Sequence, residues 1–343
     1  MMSFRLRLAR TRPAIRLVQG IALKFWALSG AYLLLCFLLY WLYGSLFAFL
    51  LLCFATLGVL YNAEDQLLYY PRLPINSRIY VPPPSLHNLP YQSIYTKSLD
   101  GTTLHMFFIP QSGDLIKKAP TLLFLHGNAG NMGHRLENVK GLYNNIHCNI
   151  LMIEYRGYGL SQGSPSEEGL YMDARAGIEY LHSRNDINTN EIILFGRSLG
   201  GAVAIDIAIR DEISQRIWCL IVENTFTSIP DMAAILIKFK ILQYLPLFCY
   251  KNKYLTLNKV RSLSVPTLFI SGRQDKLVPP KMMDELFEAC GSSFKRKIQI
   301  LDGTHNETWN KSGYYQQMLV FLEEIRRNPP TRTASKPWRI DEV

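Results

Sequence analysis

The stretch EIILFGRSLGGAVAIDIA, residues 191–208, decides the fold. Six residues of β-type sequence run into a serine fenced by glycines, and small, helix-compatible residues follow. Packing alone asks for no such fencing. Gly196-Arg197-Ser198-Leu199-Gly200 is a G-x-S-x-G set between a strand and a helix, a turn so sharp that neighbouring side chains would collide with backbone. That turn lifts the Ser198 hydroxyl clear of the sheet, at the N-terminus of the following helix. The pentapeptide is common by chance; the strand before it and the helix after it carry the reading.

On either side, TLLFLHG, NILMIEYRG, WCLIVEN, PTLFISG and KIQILDG are short runs dense in apolar and β-branched residues. Such runs suit strands buried on both faces of a parallel sheet. QSIYTKS and TLHMFFI flank the turn signal Asp100-Gly101 as a hairpin would. Ser164-Pro165-Ser166-Glu167 reads as a capping box with proline at the first helical position, and Leu170, Ala174, Ile178 and Leu181 recur at helical spacing. Tyr314, Leu319, Phe321, Leu322 and Ile325 give the last helix its apolar face. Eight strands, mostly parallel, with helices on both faces predict an α/β doubly wound domain over residues 91–328. A cap is expected at about 225–264, within which Met232 to Leu247 is apolar and helix-like, suited to an acyl pocket, the membrane or plain packing.

Serine is a poor nucleophile at neutral pH and needs a base, itself oriented by an acid. ISGRQDKLVPP sets Asp275 just after one strand and LDGTHNETW sets His305 just after the next, both at the carboxyl edge where Ser198 sits. Glu223, ending WCLIVEN at the same edge, is the alternative acid; Asp302 precedes the histidine loop and is expected to hold its turn. Donors for a developing oxyanion are expected from the backbone N–H of Leu199 and from the loop His126-Gly127-Asn128-Ala129-Gly130-Asn131, with Asn128 best placed and His126 stabilising the loop. YRGYGLSQG, residues 155–163, lacks phosphate-loop spacing and reads as a strand-to-loop turn.

Taken together, HGNAGNMGHR, YRGYGLSQGSPSEEGLY, GRSLGGAVA, IVENTF, ISGRQDKLVPP and DGTHNETW resemble the α/β-hydrolase family, in particular its membrane-anchored members, over nearly all of residues 60–325. The resemblance implies the α/β-hydrolase fold, with Ser198 as nucleophile, Asp275 as acid and His305 as base. It also implies a single-pass protein whose domain lies on the non-cytosolic side. A related depalmitoylase branch shares the HGNA and GYG-x-S signatures, which keeps acyl-protein thioesterase activity open.

The net charge of +10 over 343 residues first suggests nucleic acid. Arg5, Arg7, Arg10, Arg12, Arg16 and Lys24 supply six of those charges within an acid-free segment 1–24, and they flank an uncharged apolar run, 25–61. That is membrane topology, not nucleic-acid binding. The run is nearly twice the span a bilayer needs. One spanning helix with an interfacial extension is the first expectation, and a hairpin breaking near Gly44-Ser45 is the alternative. A basic N-terminus held in the cytosol with a single span makes a type II protein with a lumenal or extracellular domain; a hairpin returns that domain to the cytosol. Residues 62–90, proline-rich from 71, read as an extended connector, and 329–343 as a tail. Cys36, Cys53, Cys148, Cys219, Cys249 and Cys290 show no metal-ligand spacing, and neither metal nor organic cofactor is implied. Asn306-Glu307-Thr308 and Asn310-Lys311-Ser312 are glycan acceptor sequons if the domain is lumenal.

The function expected is a membrane-anchored serine hydrolase acting on an ester or thioester of a lipid or acylated-protein substrate. A catalytically silent membrane-tethered binding module and a peptidase on the same fold are the other classes; the complete triad argues against the first, and nothing in the cap selects peptides.

Overall fold

The structure, a computed structural model, describes residues 29–237 and 244–329. The basic N-terminus 1–24, the middle of the cap and nearly all of the tail 329–343 lie outside the described residues. The chain divides into two compact units, Met1–Glu64 with Phe248–Lys251, and Asp65–Leu247 with Asn252–Val343.

Among the described residues the apolar run is two helices, Ser29–Tyr43 and Ser45–Leu68, parted by Gly44 with φ +90°. A positive φ suits glycine because no Cβ meets the backbone. Tyr32 and Leu35 of the first helix line one cavity with Leu51, Phe54, Ala55 and Gly58 of the second, so the chain folds back at Gly44. The break falls where the alternative reading placed it, near Gly44-Ser45. Among the described residues only Ser45–Leu68 is long and apolar enough to cross a membrane.

The second unit is built on an eight-stranded sheet: β1 (Gln92–Lys97), β2 (Thr103–Ile109), β3 (Thr121–Leu125), β4 (Asn149–Ile153), β5 (Ile192–Arg197), β6 (Cys219–Glu223), β7 (Thr267–Gly272) and β8 (Lys295–Ile300). Their spatial order is β1-β2-β4-β3-β5-β6-β7-β8. β2 pairs antiparallel with β1 and β4; every pair from β4 to β8 is parallel. The continuous apolar runs follow from burial on both faces. In β3, Leu123 and Leu125 enter the core under helices Glu167–Ser183, Leu199–Ala208 and Pro280–Ala289. Leu122 and Phe124 enter the opposite core under Leu136–Ile146 and Tyr314–Arg327. Each such side chain contributes about 1.5–3 kcal/mol on burial.

Helix Glu167–Ser183 starts two residues later than the capping-box reading placed it. Ser166 is the N-cap and its hydroxyl accepts from Gly169 N–H. Leu170, Ala174, Ile178 and Leu181 face the core as expected. Residues 65–90 are not a free extended connector, because their backbone carbonyls accept bonds from the loop after β3. Asn131 Nδ2, for instance, donates to Ser77 O and Tyr80 O, each at 2.9 Å.

Candidate active site

Strand order places the site. The chain leaves β3 for β4 on one side and resumes at β5 on the other, so the loops after β3 and β5 border one crevice at the carboxyl edge. Leu125 of β3 is level with Gly196 of β5. Ser198 then turns the chain at φ 54°, ψ −121°, a strained conformation worth about 1–3 kcal/mol. A Cβ on Gly196 would enter the carbonyl of Gly200, and one on Gly200 would enter that of Leu125. The elbow is held by Gly201 N–H on Ser198 O at 2.9 Å and by the Thr225 hydroxyl on the same oxygen at 2.8 Å. Gly200→Ala should therefore destabilise the fold by roughly 3 kcal/mol or more, the upper end for overpacking. Thermal denaturation should show the midpoint falling by about 10 °C.

His305 Nε2 lies 3.1 Å from Ser198 Oγ, and His305 Nδ1 lies 2.7 Å from Asp275 Oδ2. With Nδ1–H donating to the carboxylate, Nε2 faces the hydroxyl with its lone pair. Asp275 Oδ1 accepts from Leu277 and Val278 N–H at 2.8 and 2.9 Å, which fixes the carboxylate's rotation. Glu223, the alternative acid, is fully buried elsewhere. It accepts from the Tyr314 hydroxyl and stands 4.0 Å from Arg197 Nε, and burial raises its carboxyl above the usual range. Asp302 is exposed and pairs with Lys311.

His305 follows β8, yet the serine it reaches follows β5, so its loop must return across β7 and β6. Asn224, which the sequence reading passed over beside Glu223, holds that return. It is buried with φ 46°; its Nδ2 donates to Thr304 O at 3.2 Å and Thr308 Oγ1 at 3.0 Å. Its Oδ1 accepts from Gly272 N–H at 2.8 Å, tying in the turn that carries Asp275. An asparagine after a strand, where φ is positive, is the only signal that marks it in sequence.

Among the described residues, the backbone N–H groups of Leu199 and Asn128 have no protein acceptor. His126 is buried inside its loop, its Nδ1 at 2.7 Å from Gly127 O and its Nε2 3.1 Å from Glu154 Oε1. Asn306, the first sequon, follows His305 and accepts from Arg197 Nη2 at 2.5 Å; Asn310 is exposed at the end of the 3-10 turn Thr308–Asn310. No group of three or more His, Cys, Asp or Glu placed to hold a metal ion occurs among the described residues.

The alpha/beta hydrolase fold family model matches residues 120–248. The chain is 37% identical to the alpha/beta hydrolase domain-containing protein WAV2 of Arabidopsis thaliana, over 79% of this chain and 91% of that one. It is 33% identical to a membrane protein of Saccharomyces cerevisiae, over 83% and 98%. The esterase Pf2001 of Pyrococcus furiosus has a similar fold, with TM-score 0.60 at 19% identity over 75% of this chain and 97% of the esterase. The chain belongs to the α/β-hydrolase family. Its fold supports a hydrolase of small-molecule substrates, and one candidate spanning helix fits a membrane location.

Proposed function

Proceeding from that membership, we propose that the protein is a membrane-anchored serine hydrolase that cleaves a carboxylic ester or thioester of a lipid or acylated substrate. The observation that carries this reading is the hydroxyl–imidazole–carboxylate chain, 3.1 Å and 2.7 Å, at the carboxyl edge of the sheet. Ser198 Oγ attacks the acyl carbonyl carbon while its proton passes to His305 Nε2. The carbonyl oxygen becomes an oxyanion held by the N–H groups of Leu199 and Asn128. The intermediate collapses as His305 gives the proton to the departing alcohol or thiol, leaving Ser198 acylated. Water, deprotonated by His305, then releases the acid and restores the serine. Apolar residues on the cap helix Ile229–Leu236 support an acyl substrate: Ile229 and Met232 are buried, Ile235 and Leu236 exposed.

The test is a panel of p-nitrophenyl esters and acyl thioesters of rising chain length, presented to the full-length protein in detergent micelles. Turnover of at least one, blocked by a fluorophosphonate, is expected. Absence of both turnover and labelling would leave the silent binding module as the better account.

For topology we propose a single crossing by Ser45–Leu68, the basic N-terminus in the cytosol and the hydrolase domain on the lumenal or extracellular side. Asn306 and Asn310 are then glycan acceptors. Glycosidase treatment of the cellular protein should remove mass, and Asn306→Gln should abolish most of that shift. The fold-back at Gly44 favours a second reading, a hairpin with a cytosolic domain. It gives no glycan shift and leaves the domain open to protease on the cytosolic side of intact vesicles.

A further inference from the structure

The motif YRGYGLSQG and the segment after the long apolar helix have no part in the proton relay, yet they converge on the loop that carries Asn128. Gly157 takes φ +76°, and a Cβ on Gly159 would run into the carboxylate of Glu154, so the two glycines permit a tight turn with Tyr158 at its apex. Tyr158 is fully buried, and its hydroxyl donates to Asn128 Oδ1 at 2.9 Å. Asn128 Nδ2 donates in the opposite direction to Leu68 O, the last residue of helix Ser45–Leu68. Beyond it, Gly130 N–H donates to Tyr70 O at 3.4 Å, and Asn131 is tied to Ser77 O and Tyr80 O. Glu154 holds the far end of the loop by accepting from Met132 N–H at 3.0 Å. The Asn128 side chain is thus gripped from two sides, while its backbone N–H has no protein acceptor among the described residues.

Side-chain amide and peptide N–H of one residue move together. Fixing the amide between a buried phenol and the carbonyl at the helix end fixes where the N–H points. We propose that Tyr158 and the Leu68 carbonyl are positioning elements that hold the Asn128 N–H in register with the developing oxyanion, so that the segment joining anchor to domain takes part in catalysis. This rests on the serine-hydrolase reading above. It assigns Tyr158 a role that acts through Asn128 and not on substrate directly. Loss of a whole oxyanion donor lowers kcat by about 10²–10³, and misplacement of about 1 Å by about 10². Releasing one of two grips should therefore lower kcat/KM by roughly tenfold to a hundredfold.

The experiment uses the full-length protein and two variants, Tyr158→Phe and Asn128→Ala; the second keeps the peptide N–H and removes both side-chain bonds. A p-nitrophenyl ester reports kcat and KM, and a trifluoromethyl ketone, whose adduct with the serine places an oxyanion in the same hole, reports transition-state affinity. We expect kcat to fall, KM to stay within about twofold, and the ketone's Ki to rise by the same factor as kcat/KM falls. Tyr171→Phe is the control for stability alone: it removes a buried hydroxyl bonded to Glu167 and Lys259, away from the loop. It should melt lower and keep wild-type kcat. If Tyr158→Phe fails to fold, Asn128→Ala carries the decision. Folded variants with wild-type kcat/KM, or with a fall in kcat that the ketone's Ki does not follow, would overturn the proposal. A wild-type protein with neither turnover nor fluorophosphonate label would overturn the hydrolase reading, and this inference with it.

Discussion

Ser198→Ala is expected to take no fluorophosphonate label and to lose hydrolysis by about 10⁶ in kcat, the effect of deleting the nucleophile of a triad that acts as a unit. The rate that remains comes from the oxyanion hole and binding, about 10³–10⁴ over water. Alanine keeps the Cβ and the strained backbone at φ 54°, so the fold should survive. The melting midpoint should stay within a few degrees, which separates lost chemistry from lost structure. The buried thiols of the hydrolase domain are poorly placed to substitute. Cys148 is buried and burial pushes its thiol up to about 12; Cys290 is buried and shifted in the same direction. A thiol in that state holds almost no thiolate at neutral pH. Mass-spectrometric mapping of the probe should find it on Ser198 alone. Label that persists in the alanine variant would move the nucleophile to another residue and dismantle the relay with it.

Most of the fold was legible because its determinants are local. Each strand of the parallel sheet is buried on both faces and so carries its own apolar signature, and the elbow at Ser198 needs glycine at positions where any Cβ meets a carbonyl. Asp275 and His305 were readable by a second route, since residues that directly follow parallel strands share one edge. What escaped depends on contacts between segments far apart in sequence. Residues 65–90 look like a linker because proline is frequent and no periodicity shows. Their order comes from the side chains of Asn128 and Asn131 in a loop some fifty residues on. Asn224 has the same character: its value lies in Thr304, Thr308 and Gly272, none of them near it in the chain. The break at Gly44 was legible only as the alternative reading, because a glycine inside an apolar run is compatible with either a continuous helix or a turn.

Asp275→Asn is expected to lower kcat by about 10⁴ while leaving the fold intact. The structure specifies why the loss should be so large for an isosteric change. Oδ1 accepts two backbone N–H groups, from Leu277 and Val278. In the variant the amide oxygen must stay on those donors, since the NH₂ group there would face two N–H bonds. The NH₂ is thereby driven to the position of Oδ2, 2.7 Å from His305 Nδ1. Two donors cannot face each other, so Nδ1 gives up its proton and Nε2 carries it. That tautomer presents N–H to Ser198 Oγ and has no lone pair to take the serine's proton. Raising the pH should restore part of the rate as hydroxide takes over the base's work, a slope the wild type lacks. Glu223→Gln provides the contrast. Its partners are Arg197 and Tyr314, not His305, so kcat should fall less than tenfold. Stability should drop by roughly 3 kcal/mol, because Arg197 is left buried without its counter-charge. The two variants thus separate along different axes, one catalytic and one structural. If instead Glu223→Gln removes activity and Asp275→Asn spares it, the acid belongs to β6 and the relay drawn through Asp275 is wrong.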